Sequence, residues 1–174
     1  LGTVTAGNTL AFNVTGNLDN STPGLSFQAT ALSLRSDTLS GNPITINVSQ
    51  IAASSFTDLN LNQSGTTPLS VATVNGLAGV NSTGTVNLTT QGPLTVDSAV
   101  LGDLVSLSSA SGGLSVNTMV QGTSAVQLEA QAGNLQLNST VQAPNVVANT
   151  SANLSGPGPI VADNTSLNAG NHIS

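Results

Sequence analysis

The side chains able to carry acid–base, nucleophilic or metal chemistry are few. In 174 residues there are seven carboxylates, one cationic side chain, one histidine and no cysteine. The carboxylates are Asp19, Asp37, Asp58, Asp97, Asp103, Glu129 and Asp163; the cation is Arg35 and the imidazole His172. Glycoside hydrolysis would need two carboxylates facing each other across a sugar ring. Lyase chemistry on an acidic polysaccharide usually needs basic groups as well. Here the acids are scattered along the chain, and the two that share one short stretch, Asp97 and Asp103, fall at different kinds of position in it. Arg35 beside Asp37 has the spacing of an exposed ion pair, which contributes little. His172 has no Asp or Cys neighbour in sequence, as befits a surface or turn residue. Thiolate metal sites are excluded without cysteine, and the glycine–aspartate nonapeptide of calcium-binding rolls is absent. No catalytic, cofactor-binding or metal-ligating residue is assigned, and the expectation is a protein that is not an enzyme and needs no cofactor.

Composition sets the frame for these sparse groups. Charged residues make up 5% and aromatics 2%, against 38% hydrophobic; ordinary soluble domains carry about 25% charged residues. Ser, Thr, Asn and Gly fill the gap, so a core must be built from Leu, Val, Ala and Ile. Disorder goes with low hydrophobicity and high net charge, whereas here apolar residues are spread evenly and the net charge is only −6. One basic residue cannot displace counterions from a phosphate backbone, which argues against nucleic acid and against an anionic membrane surface. No run approaches the roughly 20 apolar residues of a membrane span, so membrane insertion is not expected.

The organisation is a repeat of about 20 residues. Three segments align: GTVNLTTQGPLTVDSAVLGD from Gly84, LVSLSSASGGLSVNTMVQGTS from Leu104, and AVQLEAQAGNLQLNSTVQAP from Ala125. Each opens with an alternating pair (Val86 and Leu88, Val105 and Leu107, Val126 and Leu128). A second pair follows (Leu94 and Val96, Leu114 and Val116, Leu135 and Leu137), then a single apolar point at Val100, Val120 or Val141. Alternation with period two marks a short strand with one buried face, so these twelve paired residues are the expected core. Gly92-Pro93, Gly112-Gly113 and Gly133-Asn134 separate the two pairs; Gly102, Gly122 and Ala143-Pro144 close the repeat. After the second pair stand Asp97, Asn117 and Asn138, each followed by Ser or Thr. Such residues suit bends, and stacking would bring them into a ladder that bonds along the stack. Asn47 is expected in the same ladder. The N-terminal half shows the pairing with looser spacing, which predicts coils of about 27 residues and outward loops at 50–56 and 75–83.

The fold class that follows is all-β: a right-handed parallel β-helix, or β-solenoid, of about seven coils of about 20 residues, longer in the N-terminal half. About six inward side chains per coil contribute at most ~1.5–3 kcal/mol each. Ordering each of about 20 residues opposes this by roughly 1–2 kcal/mol. One coil therefore cannot stand alone, and its partners are the neighbouring coils of the same chain, about 4.8 Å away. An antiparallel sandwich also gives regularly spaced strands, but a meander has no reason to repeat an ordered set of unequal breaks. The right hand is the usual one for a parallel crossover. Residues 1–174 read as a single solenoid segment. With no initiator Met, no signal-peptide pattern and an end inside a strand-like pattern, it is expected to be an internal fragment of a larger secreted protein.

The stretches VNLTTQGPLTV, VSLSSASGGLSV and VQLEAQAGNLQLNSTVQA resemble the repeats of filamentous-haemagglutinin-like exoproteins, over about a third of the chain. These are large bacterial proteins exported by two-partner secretion, and autotransporter passenger domains have a similar texture. The resemblance implies a long right-handed parallel β-helix at the cell surface or outside the cell. It implies a structural or adhesive role, as a stiff spacer or adhesive fibre. The uncharged Ser/Thr/Asn faces suit non-ionic partners such as glycans or further copies of the chain.

The readings from other classes are a carbohydrate-active β-helix enzyme fragment, an ice-binding solenoid and a glycoprotein. Ice binding would need ranks of Thr-x-Thr, and Thr3-Val4-Thr5 does not recur coil after coil. Glycosylation sequons begin at Asn13, Asn20, Asn47, Asn62, Asn81, Asn87, Asn138, Asn149, Asn153 and Asn164. A chain so rich in Asn, Ser and Thr makes several by composition alone. Residues 1–174 released from natively produced material should therefore show the mass of the bare polypeptide, 17.1 kDa; additions in hexose-sized steps would establish the glycoprotein reading instead.

Overall fold

The computed structural model describes residues 2–22 and 24–174. Among them there is no helix, and every strand but the two of one small hairpin belongs to a single parallel-stacked sheet system. The chain winds as a β-solenoid of about eight turns, with three faces per turn.

The first face stacks Thr3–Thr5, Ser26–Gln28, Ile44–Asn47, Leu59–Gln63 and Val86–Thr90. It continues through 104–109, 125–130, Asn145–Thr150 and Asn164–Ala169. Its inward column reads Phe27, Ile46, Gln63, Thr90, Ser109, Ala130, Thr150 on one line. Leu61, Leu88, Leu107, Leu128, Ala148 and Leu167 form another. On the second face Leu10, Leu32, Ile51, Val71, Val96, Val116 and Leu137 lie over one another. On the third, Phe12, Leu34, Ala53, Val80, Val100, Val120, Val141 and Ile160 do so. Like therefore sits on like along most of the stack, the exception being the corner column, where Ile46 lies over Gln63 and Ala130 between Ser109 and Thr150. The twelve expected core residues, from Val86 to Leu137, are all at most 4% exposed. They belong to one apolar cluster that runs from Leu18 to Leu154. The alternation forces this: each inward side chain of a two-residue period is sealed by its equivalents above and below.

Several expectations about the N-terminal half need correction. Residues 50–56 are not an outward loop. Gln50–Ser55 is a strand paired in register with 31–36, and Ile51, Ala52 and Ala53 are fully buried. Small residues hid it from the alternation, because Ala52 points out of the coil and is nonetheless covered. Nor are coils of about 27 residues general there. Steps along the stack are as short as 17 residues, from Thr45 to Asn62, and reach 27 in one coil, from Leu59 to Val86.

That long coil contains the hairpin. Thr73–Val74 pairs antiparallel with Leu77–Ala78 around Asn75 and Gly76, whose φ angles are +50° and +75°. Two positive φ values in sequence define the type I′ turn, for which Asn-Gly is the preferred pair. Val74 and Leu77 fold back over Ala31 and Ala52, a small apolar cluster outside the main core. The expected loop at 75–83 is thus a two-residue turn, and Val80–Ser82 is already back in the stack.

Leu88 is fully buried between Leu61 and Leu107. Truncation to Ala leaves a cavity that neighbours fixed by their own hydrogen bonds cannot close. Leu88→Ala is expected to lower the unfolding free energy by about 2–5 kcal/mol, read by denaturant titration, whereas Asn87→Ala on the outer side should change it by no more than about 0.5 kcal/mol.

Candidate functional site

The polar residues that the sequence brings forward act along the stack. Asn117 Nδ2 donates to Asp97 Oδ1 at 2.8 Å and Asn138 Nδ2 to Asn117 Oδ1 at 2.9 Å. Ser70 Oγ extends the column by donating to Asp97 Oδ2 at 2.8 Å. Each ladder residue also anchors its bend, its N–H bonding a carbonyl of the preceding coil: Asp97 to Val71, Asn117 to Val96, Asn138 to Val116. Asn47 does not join this column. It ends a first-face strand and pairs with Gln28, so it stands at a different corner from Asp97. Other rungs carry no comparable repeat in the sequence: Asn164 to Asn145 at 3.1 Å and Asn153 to Asn134 at 3.2 Å.

The carboxylates take part in the same work. Asp37 Oδ2 accepts from the Gly16 amide at 2.8 Å, and Asp58 Oδ1 from the Thr85 amide at 2.7 Å. Asp103 Oδ1 accepts from Thr123 Oγ1 at 2.6 Å, and Glu129 Oε2 from Ser108 Oγ at 3.3 Å. Asp19 accepts from the Ser21 hydroxyl and amide and from Ser40, and these bonds hold its carboxyl below the usual carboxylate range. Asp163 contributes its backbone N–H to the Pro144 carbonyl at 3.0 Å, and His172 its carbonyl to the Leu154 N–H at 2.9 Å. Five of these carboxylates bond a group one coil away, and each does so at its own place on the stack. Among the described residues no three His, Asp or Glu side chains gather as a metal-holding group, and no helix is long and apolar enough to cross a membrane.

Two corners are held by buried hydroxyls that sequence reasoning missed. Between the third and first faces, Ser36, Ser55 and Ser82 lie over one another at no more than 7% exposure. Ser36 Oγ donates to the Thr38 carbonyl at 2.6 Å. Ser55 and Ser82 accept from the amides two residues on, Thr57 at 3.1 Å and Gly84 at 3.0 Å. Between the first and second faces stand Thr90, Ser109 and Thr150. Thr90 Oγ1 donates to the Gly92 carbonyl at 2.6 Å, Ser109 Oγ to the same carbonyl at 2.9 Å, and Thr150 Oγ1 to the Gly133 carbonyl at 2.6 Å. Gln63 closes the same column by exchanging two bonds with the Val48 backbone. Ser and Thr readily hydrogen-bond backbone two residues along, and a buried peptide group at a corner needs such a partner. Among the described residues no buried side-chain nitrogen or oxygen lacks one. The signal in the sequence was a Ser or Thr at the inward phase of a strand's last position. Of the sequon asparagines, Asn20 is 3% exposed and bonded to the Asn42 and Pro43 carbonyls, a side chain closed to modification in the folded protein.

No protein-family model matches the chain, and neither a curated protein nor a solved structure matches it.

Thr150→Val keeps the shape of the side chain and removes the hydroxyl that serves the Gly133 carbonyl and the Ala152 amide. Leaving such groups unpaired is expected to lower stability by about 1–3 kcal/mol. Thr150→Ser, which keeps the hydroxyl, should lose about 1 kcal/mol or less; an undiminished stability in Thr150→Val beside a loss in Thr150→Ser, measured by chemical denaturation, would show that the methyl group matters and the hydroxyl does not.

Proposed function

We propose that this chain is a structural segment of a large secreted bacterial surface protein, working as a stiff spacer with an adhesive surface and without catalysis. The β-solenoid fold is consistent with a structural repeat protein, and the observation that carries the reading is the use made of its polar groups. Five carboxylates and the Asp97–Asn117–Asn138 ladder bond from coil to coil. Groups held this way resist shear between layers. Chemistry would instead require them to converge on one reacting atom. With nine strands stacked on the first face, the rod is about 38 Å tall at about 4.8 Å per layer.

The low charge, −6 with one cation, favours non-ionic partners, glycans or further copies of the chain, over nucleic acid. The haemagglutinin-like texture of residues 86–141 supports an extracellular or cell-surface location. Reading the coding frame outward from both ends tests the whole proposal: similar coils continuing for hundreds of residues behind a secretion domain are the expected result. A frame that closes quickly with capping segments on both sides would replace the spacer with a small self-contained solenoid.

A further inference from the structure

Several depressions of similar size mark the outer surface, and one of them lies at the corner between the third and first faces, across four successive coils. Here the chain turns at the buried serines Ser36, Ser55 and Ser82, and a cleft of about 360 Å³ opens on the outside, within the usual range for a small-ligand site. One wall is the row Asn13, Arg35, Ser54 and Asn81, aligned across the stack by strand register. The facing wall is the row Asp37, Phe56 and Thr83, joined by Phe56 N–H to the Asp37 carbonyl at 3.0 Å and Thr83 Oγ1 to the Phe56 carbonyl.

The residues in this cleft are not a sample of the surface. Arg35 is the single cation of the chain. Phe56 is one of three aromatics; Phe12 and Phe27 pack against each other with centroids 5.0 Å apart, whereas Phe56 is 71% exposed. Nothing in the fold calls for an aromatic ring there, since the ring stands outside both apolar clusters.

We propose that this corner groove binds an uncharged oligosaccharide lying along the stack axis. An exposed ring offers its electron-rich face to the C–H face of a pyranose. Around it stand a guanidinium with donors only, a carboxylate with acceptors only, two amides with both, and two hydroxyls. This is the mixed set that vicinal sugar hydroxyls require. The formal charges of Arg35 and Asp37 cancel, so an anionic chain would meet Asp37 and a cationic one Arg35. The Asp37 carboxylate is already positioned through Oδ2 by the Gly16 amide, and the hydroxyls beneath the floor fix the corner before any ligand arrives. Four strand rows span about 14 Å, which sets the ligand as a short stretch of chain rather than a single sugar. The inference rests on the adhesive part of the function proposed above and gives it a place and a ligand class.

The test uses the whole 174-residue chain on a printed array of uncharged and acidic glycans, followed by titration of the best uncharged hexasaccharide. Binding to uncharged glycans is expected, little affected by salt. Phe56→Ala and Asp37→Asn should each weaken it by about tenfold or more. Phe56→Ala should leave the melting temperature unchanged, because the ring is already in water. Retained affinity in Phe56→Ala, absence of any uncharged ligand on the array, or tighter and salt-sensitive binding of a hexagalacturonate would each overturn the proposal. A chain that binds no glycan but continues into further coils fails here while leaving the spacer reading standing.

Discussion

Everything in this molecule depends on one constraint: each coil must present its neighbour with an inward side chain at the same place. Parallel pairing in register carries the backbone bonds from layer to layer, and it also sets Val over Val and Leu over Leu down three faces. A coil has too few inward residues to close a core of its own. The core is therefore a property of the stack, and its continuity comes from repetition rather than from any large side chain. This is how a chain with 2% aromatics still buries an unbroken interior.

The same constraint decides what polar residues can do. A side chain at a corner meets its equivalent from the next coil, so acid, amide and hydroxyl groups form rungs parallel to the axis. Buried hydroxyls at two corners satisfy the peptide groups where the chain turns, and the Asp97–Asn117–Asn138 column does so on the outside of the third. Glycine takes over where a side chain does not fit. At Gly122 a Cβ would stand 2.2 Å from the Ala125 carbonyl oxygen, and this coil turns without the serine used at the same corner in earlier ones.

The C-terminal half was legible because its signals agree. Alternating apolar pairs, glycine-containing breaks and a polar residue after the second pair recur at one period, and each corresponds to a strand, a corner or a rung. The N-terminal half was harder for physical reasons. In 50–55 the buried positions are held by Ile, Ala and Ser, and a hairpin covers the outer side, so inward and outward residues cease to differ in polarity. Asn47 has the right type for the ladder, but residue type does not specify which corner a residue reaches when coil length varies. The Asn75-Gly76 pair carried a turn signal that spacing alone turned into a long loop. The corner groove was not legible at all: its walls are single residues from four coils, and only the register brings Asn13, Arg35, Ser54 and Asn81 into one row.

The hairpin at 73–78 shows what such an architecture permits. It adds residues to one coil, yet Leu59 still faces Val86, and the layers above resume their usual spacing. An insertion at a corner is absorbed where it occurs, because register is reset by the next strand and not counted along the chain. In a helical bundle or a coiled coil a length change shifts every contact beyond it. A solenoid of this kind can instead diversify its exterior one coil at a time, trying new ornaments while the shaft that carries them stays unchanged.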